Sequence, residues 1–307
     1  MGELRLHLLR SGTAPLHIDI RMVDYDRYEK LYDLFSGHHT RIASLCAWYG
    51  SQSFFEGRDF PCMQLLDIDN WYPARLGSMP KLQSLQLRDL QWCLLPLSGL
   101  PPLKILTLSR IKCTSVLRHS QSLTTLMLYD MPLVDAISGP VTFASLTYLS
   151  LYSVEGLKPH INAPCLVTYH EGGSTVRESF NISLPSLVEY GVSHQVTNSA
   201  DPAKWDLSFP NIIRLSLRAS RRMLLALLTS LADQPHSLPA LQTINAVEIR
   251  TGTCGIPEDV QENIERLNQV RNVVVCFETW QPFQIPLFFG VVGDHLSIRW
   301  SCVLLTY

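Results

Sequence analysis

The sequence predicts an α/β solenoid, in which short parallel strands stack coil upon coil with one strand per repeat. Three observations carry this expectation. Five segments align without a gap: MQLLDIDNW (63–71), LQSLQLRDL (82–90), LKILTLSRI (103–111), LTTLMLYDM (123–131) and LTYLSLYSV (146–154). Each reads apolar-x-x-apolar-x-apolar-x-x-apolar, and all 20 residues at the marked positions are apolar. Independent draws at 46% hydrophobic composition would do this with a probability of about 2 × 10⁻⁷. Weaker copies extend the series, with starts at 42, 63, 82, 103, 123, 146, 166, 187, 212 and 241, so that the steps run from 19 to 29 residues. Finally, only 17% of the 307 residues are charged, a balance that favours a long buried core over disorder.

The opening 60 residues differ from the repeats. Leu4, Leu6, Leu8 and Leu9 predict a short helix stopped at Ser11-Gly12. Pro15 to Ile20 alternates as a strand. Tyr28, Leu31, Tyr32 and Phe35 have helical spacing within 24–35, closed by Gly37. Ile42 to Ala47 then begins the first coil. An αβα lead-in of this kind covers the apolar end that a solenoid would otherwise expose.

Within each repeat, alternate side chains of the x-Leu-x-Leu step face opposite ways, as in a strand. The inward leucines stack on the next coil. Pro80, Pro101, Pro102, Pro164, Pro185, Pro210 and Pro239 stand just ahead of the motif, where a missing N–H removes no ladder bond. The spacing resembles the leucine-rich repeat family, which implies an irregular leucine-rich-repeat solenoid of about ten coils with parallel strands on its concave face. Regular members carry Asn or Cys at the ninth position, and here Trp71, Leu90, Ile111, Met131 and Val154 stand there instead. The sixth, inward slot holds Glu171 in one coil, where a strand is expected to end early or bulge.

Towards the C-terminus, 223–233 and 257–270 read as helices, the second opened by Pro257 with acidic residues in its first turn. Residues 272–277 read as a buried strand, and 281–307 as an apolar cap without a definable register. The expected organisation is a lead-in and first coil (1–60), the repeats proper (61–255) and a C-terminal helix-strand coil with its cap (256–307).

A closer resemblance lies in the lead-in. The run Leu8-Leu-Arg-Ser-Gly-Thr-Ala-Pro-Leu-His-Ile-Asp-Ile20, followed by His39-Thr-Arg-Ile-Ala-Ser-Leu45, resembles the segment after the F-box in fungal F-box/leucine-rich-repeat-like proteins. It implies the substrate-recognition region of a ubiquitin-ligase receptor. No Leu-Pro-x-Glu/Asp-x-Leu-like opening occurs in this sequence, so a cullin-ligase adaptor is implied as a partner only where an F-box precedes it. A stand-alone scaffold of the same fold is the alternative.

Composition and motifs narrow the function. Lys+Arg number 25 and Asp+Glu 27, so no basic excess points to nucleic acid. No apolar run approaches the ~20 residues of a membrane span. Eight cysteines include no C-x-x-C pair, which suggests buried reduced thiols in an intracellular protein, cytoplasmic or nuclear. No G-x-S-x-G, P-loop, G-x-G-x-x-G or H-E-x-x-H occurs, and neither an enzyme, a cofactor nor a metal is expected. Asp67 and Asp69 lie two apart on a strand and read as solvated residues rather than a catalytic pair. His38-His39 would point apart on a helix, and Gly172-Gly173 reads as a turn.

The expected function is therefore non-catalytic protein binding. The third, fifth and seventh motif positions face away from the core and line the expected concave surface. They place Met127, Tyr129, Tyr148 and Tyr152 on neighbouring strands, with Asp67, Asp69 and Arg88 towards one end and Arg214 and Arg218 towards the other. Tyrosines of this kind anchor interfaces or simply pack on one another across a sheet.

Overall fold

A computed structural model describes residues 2–21, 23, 27–70, 77–88, 100–110, 121–131, 140–154, 157, 160–173, 184–193, 209–218, 220–234, 236–247 and 256–278. The expected cap at 281–307 lies outside them. The chain is a solenoid of parallel strands and divides into two compact units, the first ending at Leu123 and the second starting at Thr124.

The first unit opens with α1 (Gly2–Arg10), β1 (Leu16–Asp19), α2 (Tyr28–Ser36), β2 (Ile42–Ala47) and a short α3 (Gln52–Phe55). The lead-in elements thus fall where the sequence puts them. Strand β1 pairs in parallel with β2, so the sheet starts one strand before the first recognisable coil. Helix α2 buries Tyr28, Leu31, Tyr32 and Phe35. Its rings meet those of α3 and the loop beyond: Tyr32 lies 4.8 Å from Phe54, and Phe54 5.5 Å from Phe60, centre to centre. The Tyr28 and Tyr32 hydroxyls donate to the carbonyls of Ile20 and Tyr49 at 2.8 and 2.6 Å, so both buried phenols are satisfied. Strands β3 (Leu65–Asp69), β4 (Ser84–Arg88) and β5 (Ile105–Ser109) continue the parallel sheet.

The second unit carries β6 (Thr125–Met131), β8 (Tyr148–Val154), β10 (Thr168–Gly172), β11 (Glu189–Ser193), β12 (Arg214–Arg218), β13 (Thr243–Val247) and β14 (Val274–Glu278) in one parallel sheet, in that order. Two short strands, β7 (Val141–Thr142) and β9 (Ile161–Asn162), pair with each other five residues ahead of their motifs. Helices α4 (Arg221–Asp233) and α5 (Glu258–Val270) pack together through Arg221–Asp259 and Arg266–Asp233 ion pairs and a Thr229–Asn263 hydrogen bond of 3.0 Å. Among the described residues no helix is long and apolar enough to cross a membrane.

The hydrogen-bond register reproduces the repeat alignment. Leu45, Leu66, Leu85 and Leu106 stand side by side in the first unit. Leu126, Leu149, Tyr169, Tyr190, Leu215 and Ile244 do so in the second. All ten are fully buried.

Two features of the coil escape the sequence reading. The first is a turn ahead of β3, β4, β10, β11 and β13. The N–H of Met63, Leu82, Leu166, Leu187 and Leu241 donates to the carbonyl three residues earlier, with Pro61, Pro80, Pro164, Pro185 and Pro239 second in the turn. Proline is pre-set for that position, and the residue before it (Phe60, Met79, Ala163, Leu184 and Leu238) is a further buried apolar site. The second is a left-handed residue at the end of the strand or just past it. Asn70, Arg110, Asp130, Ser153 and Gly173 all occupy the eighth motif position, with φ of 46, 56, 49, 51 and 61°. Of the two glycines read as a turn, Gly172 instead closes β10 in register, and Gly173 alone takes the turn backbone.

Three expectations need correction. Strand β10 neither ends early nor bulges at Glu171, but pairs in register on both sides. The reason is local: tyrosines replace leucine at the fourth position of two coils, and the Tyr169 and Tyr190 hydroxyls both donate to the buried Glu171 carboxylate. Strand β14 is less buried than 272–277 was expected to be, since Val274 is 60% exposed and the strand pairs only with β13 among the described residues. Of the four described cysteines, all free, only Cys46 is buried, and Cys165 is exposed because it follows Pro164 at the outside of a turn.

Candidate functional site

The strand alternation turns positions three, five and seven onto the sheet face opposite the leucines, as expected. What differs is how this face is covered. Its middle row is largely shielded: Asp67 is 1%, Gln86 4%, Thr107 0%, Met127 6% and Ser150 8% exposed. Burial extends to flanking positions too, with Ser84 6% and Ser109 9% exposed. Met127, expected as an exposed anchor, is therefore a covered residue, with the Tyr129 hydroxyl 3.7 Å from its sulfur.

In the first unit the face is ionic and internally matched. Asp67 lies buried between two guanidiniums, 3.1 Å from Arg88 and 3.7 Å from Arg21. Arg88 also reaches Asp69 at 3.0 Å and the Gln86 amide oxygen at 3.1 Å, while Arg21 pairs with Asp19. Burial holds the Asp67 carboxyl above its ordinary range even so. Burial and the nearby Asp67 push the neighbouring Cys46 thiol up to about 12. Asp67 is thus not the solvated strand residue expected. Asp69, half-buried, belongs to the same network. A guanidinium already holds both carboxylates, which suits a structural clamp across β3 and β4.

In the second unit the face is aromatic and then basic. Tyr129 and Tyr152 stand side by side in the seventh row, and Tyr148 lies in the third row; all three are half-buried. Burial raises the Tyr148 phenol well above its usual range, so it remains a neutral donor. The Tyr148 ring meets His170 at 5.5 Å with a 47° tilt. His170 lies 3.7 Å from Glu189, which also receives Arg214 at 3.4 Å. The nearby His170 imidazole holds the Glu189 carboxyl below its ordinary value, with Arg214 adding to the effect. Arg214 is exposed and Arg218, four residues on along β12, is half-buried.

The structure thus brings Tyr129, Tyr148 and Tyr152 together on adjacent strands, and Arg214 with Arg218 on one strand. The sequence reading missed His170 and Glu189 as members of this chain of contacts. Their fifth and third motif positions were the available signal. No group of His, Cys, Asp or Glu among the described residues is arranged to hold a metal, and His39 instead contacts the Ser36 carbonyl at 2.8 Å.

No family model matches the chain, and no curated protein or solved structure is significantly similar to it. The class defined by fold and geometry is accordingly a parallel-strand solenoid with an aromatic and basic face in its second unit.

Proposed function

We propose that this chain is a non-catalytic protein-interaction module of the leucine-rich-repeat kind, which holds a protein target on the face bearing the third, fifth and seventh positions. The observation that carries the reading is the side-by-side placement of half-buried Tyr129 and Tyr152 on adjacent strands, with half-buried Tyr148 four residues before Tyr152 on the same face. Rigid aromatic side chains with polar tips suit a protein interface. The resemblance of 8–45 to F-box/leucine-rich-repeat-like proteins gives the reading its finer form, a substrate receptor of a ubiquitin ligase inside the cell, in the cytoplasm or nucleus. A scaffold with no ligase link is the second form.

Affinity capture of the tagged chain from its own cells tests both. Recovery of the ligase adaptor and cullin supports the receptor. Reproducible partners without either support the scaffold. Partners that survive Tyr129→Ala and Tyr152→Ala equally well would show that this face is not the binding site.

A further inference from the structure

Two glycines on the second unit's face act as seats for aromatic rings. A Cβ on Gly191 would come within 2.9 Å of Cδ2 and Cγ of His170 and within 3.1 Å of its Nε2. A Cβ on Gly172 would lie 2.4 and 2.6 Å from Cδ2 and Cε2 of Tyr152, and 2.7 Å from the Ser193 carbonyl oxygen. These pairs are direct cross-strand neighbours, Tyr152 with Gly172 and His170 with Gly191. Each ring therefore lies along the sheet, in space that a side chain would otherwise fill, and does not stand out from it. Tyr148 packs on His170, and Tyr152, seated over Gly172 two residues beyond His170 on β10, extends the floor to three rings. Rings held in place before a partner arrives lose little further freedom on binding, which favours affinity.

At the β12 border of this floor the exposed charge is cationic. The Arg214 side chain is 54% exposed, and its counter-ion Glu189 is shared with His170. Arg218 adds a second guanidinium on the same strand. An anionic side chain arriving at Arg214 meets a largely solvent-facing guanidinium at the edge of a preformed apolar surface. Opposite charges across such a rim steer encounter and fix register.

We propose that the face formed by β8, β10, β11 and β12 docks an extended acidic segment of a protein partner, with an aromatic or apolar side chain on the Tyr148–Tyr152–His170 floor and a carboxylate at Arg214. The proposal rests on the binding-module reading and specifies the chemistry of the partner.

Selection of a random peptide library displayed on phage against the full chain tests it. The expected winners carry Asp or Glu next to an aromatic or apolar residue. A synthetic winner should bind Arg214→Glu about tenfold more weakly and lose affinity as salt rises. Gly191→Ala, whose added methyl would meet the His170 ring first, should weaken binding several-fold with little change in the melting midpoint. His170→Ala should do the same and serves if Gly191→Ala folds poorly. Basic or uncharged winners, no winners, affinities indifferent to Arg214→Glu, or self-association through this face would each overturn the proposal. The broader reading fails separately: cellular partners would then survive Tyr129→Ala and Tyr152→Ala.

Discussion

The two units present the same sheet face with opposite electrostatic designs. In the first, Asp19, Asp67 and Asp69 interleave with Arg21 and Arg88, and the charges are spent on one another. In the second, Tyr148, Tyr152 and His170 form a floor, and Arg214 pairs with Glu189 while its side chain stays 54% exposed. One repeat thus supports a clamp in one place and an open surface in another. Inward positions are constrained by stacking, whereas outward positions are constrained only by their cross-strand neighbours.

Substitutions can break this comparison, beginning with one that ignores it. Leu126→Ala empties a fully buried position in the second unit and should cost about 2–5 kcal/mol in chemical denaturation. A small cost would mean that the register is wrong. Next, Asp67→Ala leaves two guanidiniums facing each other without their shared anion and should cost about 2–3 kcal/mol, below the range for fully buried pairs because both arginines are partly exposed. Arg214→Ala, at an exposed ion pair, should change stability by less than about 1 kcal/mol. Equal costs at the two sites would erase the distinction between clamp and surface.

Acid titration sharpens the contrast through opposite slopes. Burial raises the folded-state pKa of Asp67, so its proton is bound more tightly in the fold than in the unfolded chain. Its contribution to stability therefore grows as pH falls from neutral towards the ordinary aspartate range. Glu189 is lowered, so its contribution is present above the ordinary glutamate range and is lost as pH falls through its folded value. Denaturation midpoints of wild type minus Asp67→Asn and wild type minus Glu189→Gln, followed against pH, should run in opposite directions. Parallel curves would contradict the assignment.

Smaller effects are expected at two surface positions. Tyr129→Ala should leave stability nearly intact and weaken capture of the partner. If it unfolds the chain, Tyr129 belongs to the core. Ser153→Gly relieves a left-handed backbone and should stabilise by up to about 1 kcal/mol, read as a raised thermal midpoint.

Much of the coil was legible in the sequence. The strand positions, their mutual register and the helices over 221–233 and 258–270 follow from apolar spacing. The proline turns were half legible: their prolines were visible, but not that Phe60 or Leu184 ahead of them was buried. The eighth-position backbone was hidden because Asn, Arg, Asp, Ser and Gly share no side-chain chemistry, only a place at the end of the strand. The candidate site was legible as a set of outward residues and illegible as a surface. Met127 and Tyr129 look alike as outward positions, yet one is covered and the other half-exposed.

By itself the sequence determined which residues point inward. Strand alternation has a period of two, and a leucine that must be buried settles the orientation of its neighbours. Only the tertiary structure decided what the outward residues become. Asp67 meets Arg88 and His170 meets Glu189 across strands 21 and 19 residues apart in the chain, so whether a charge is clamped, shared or left to solvent depends on the coil stacked beside it.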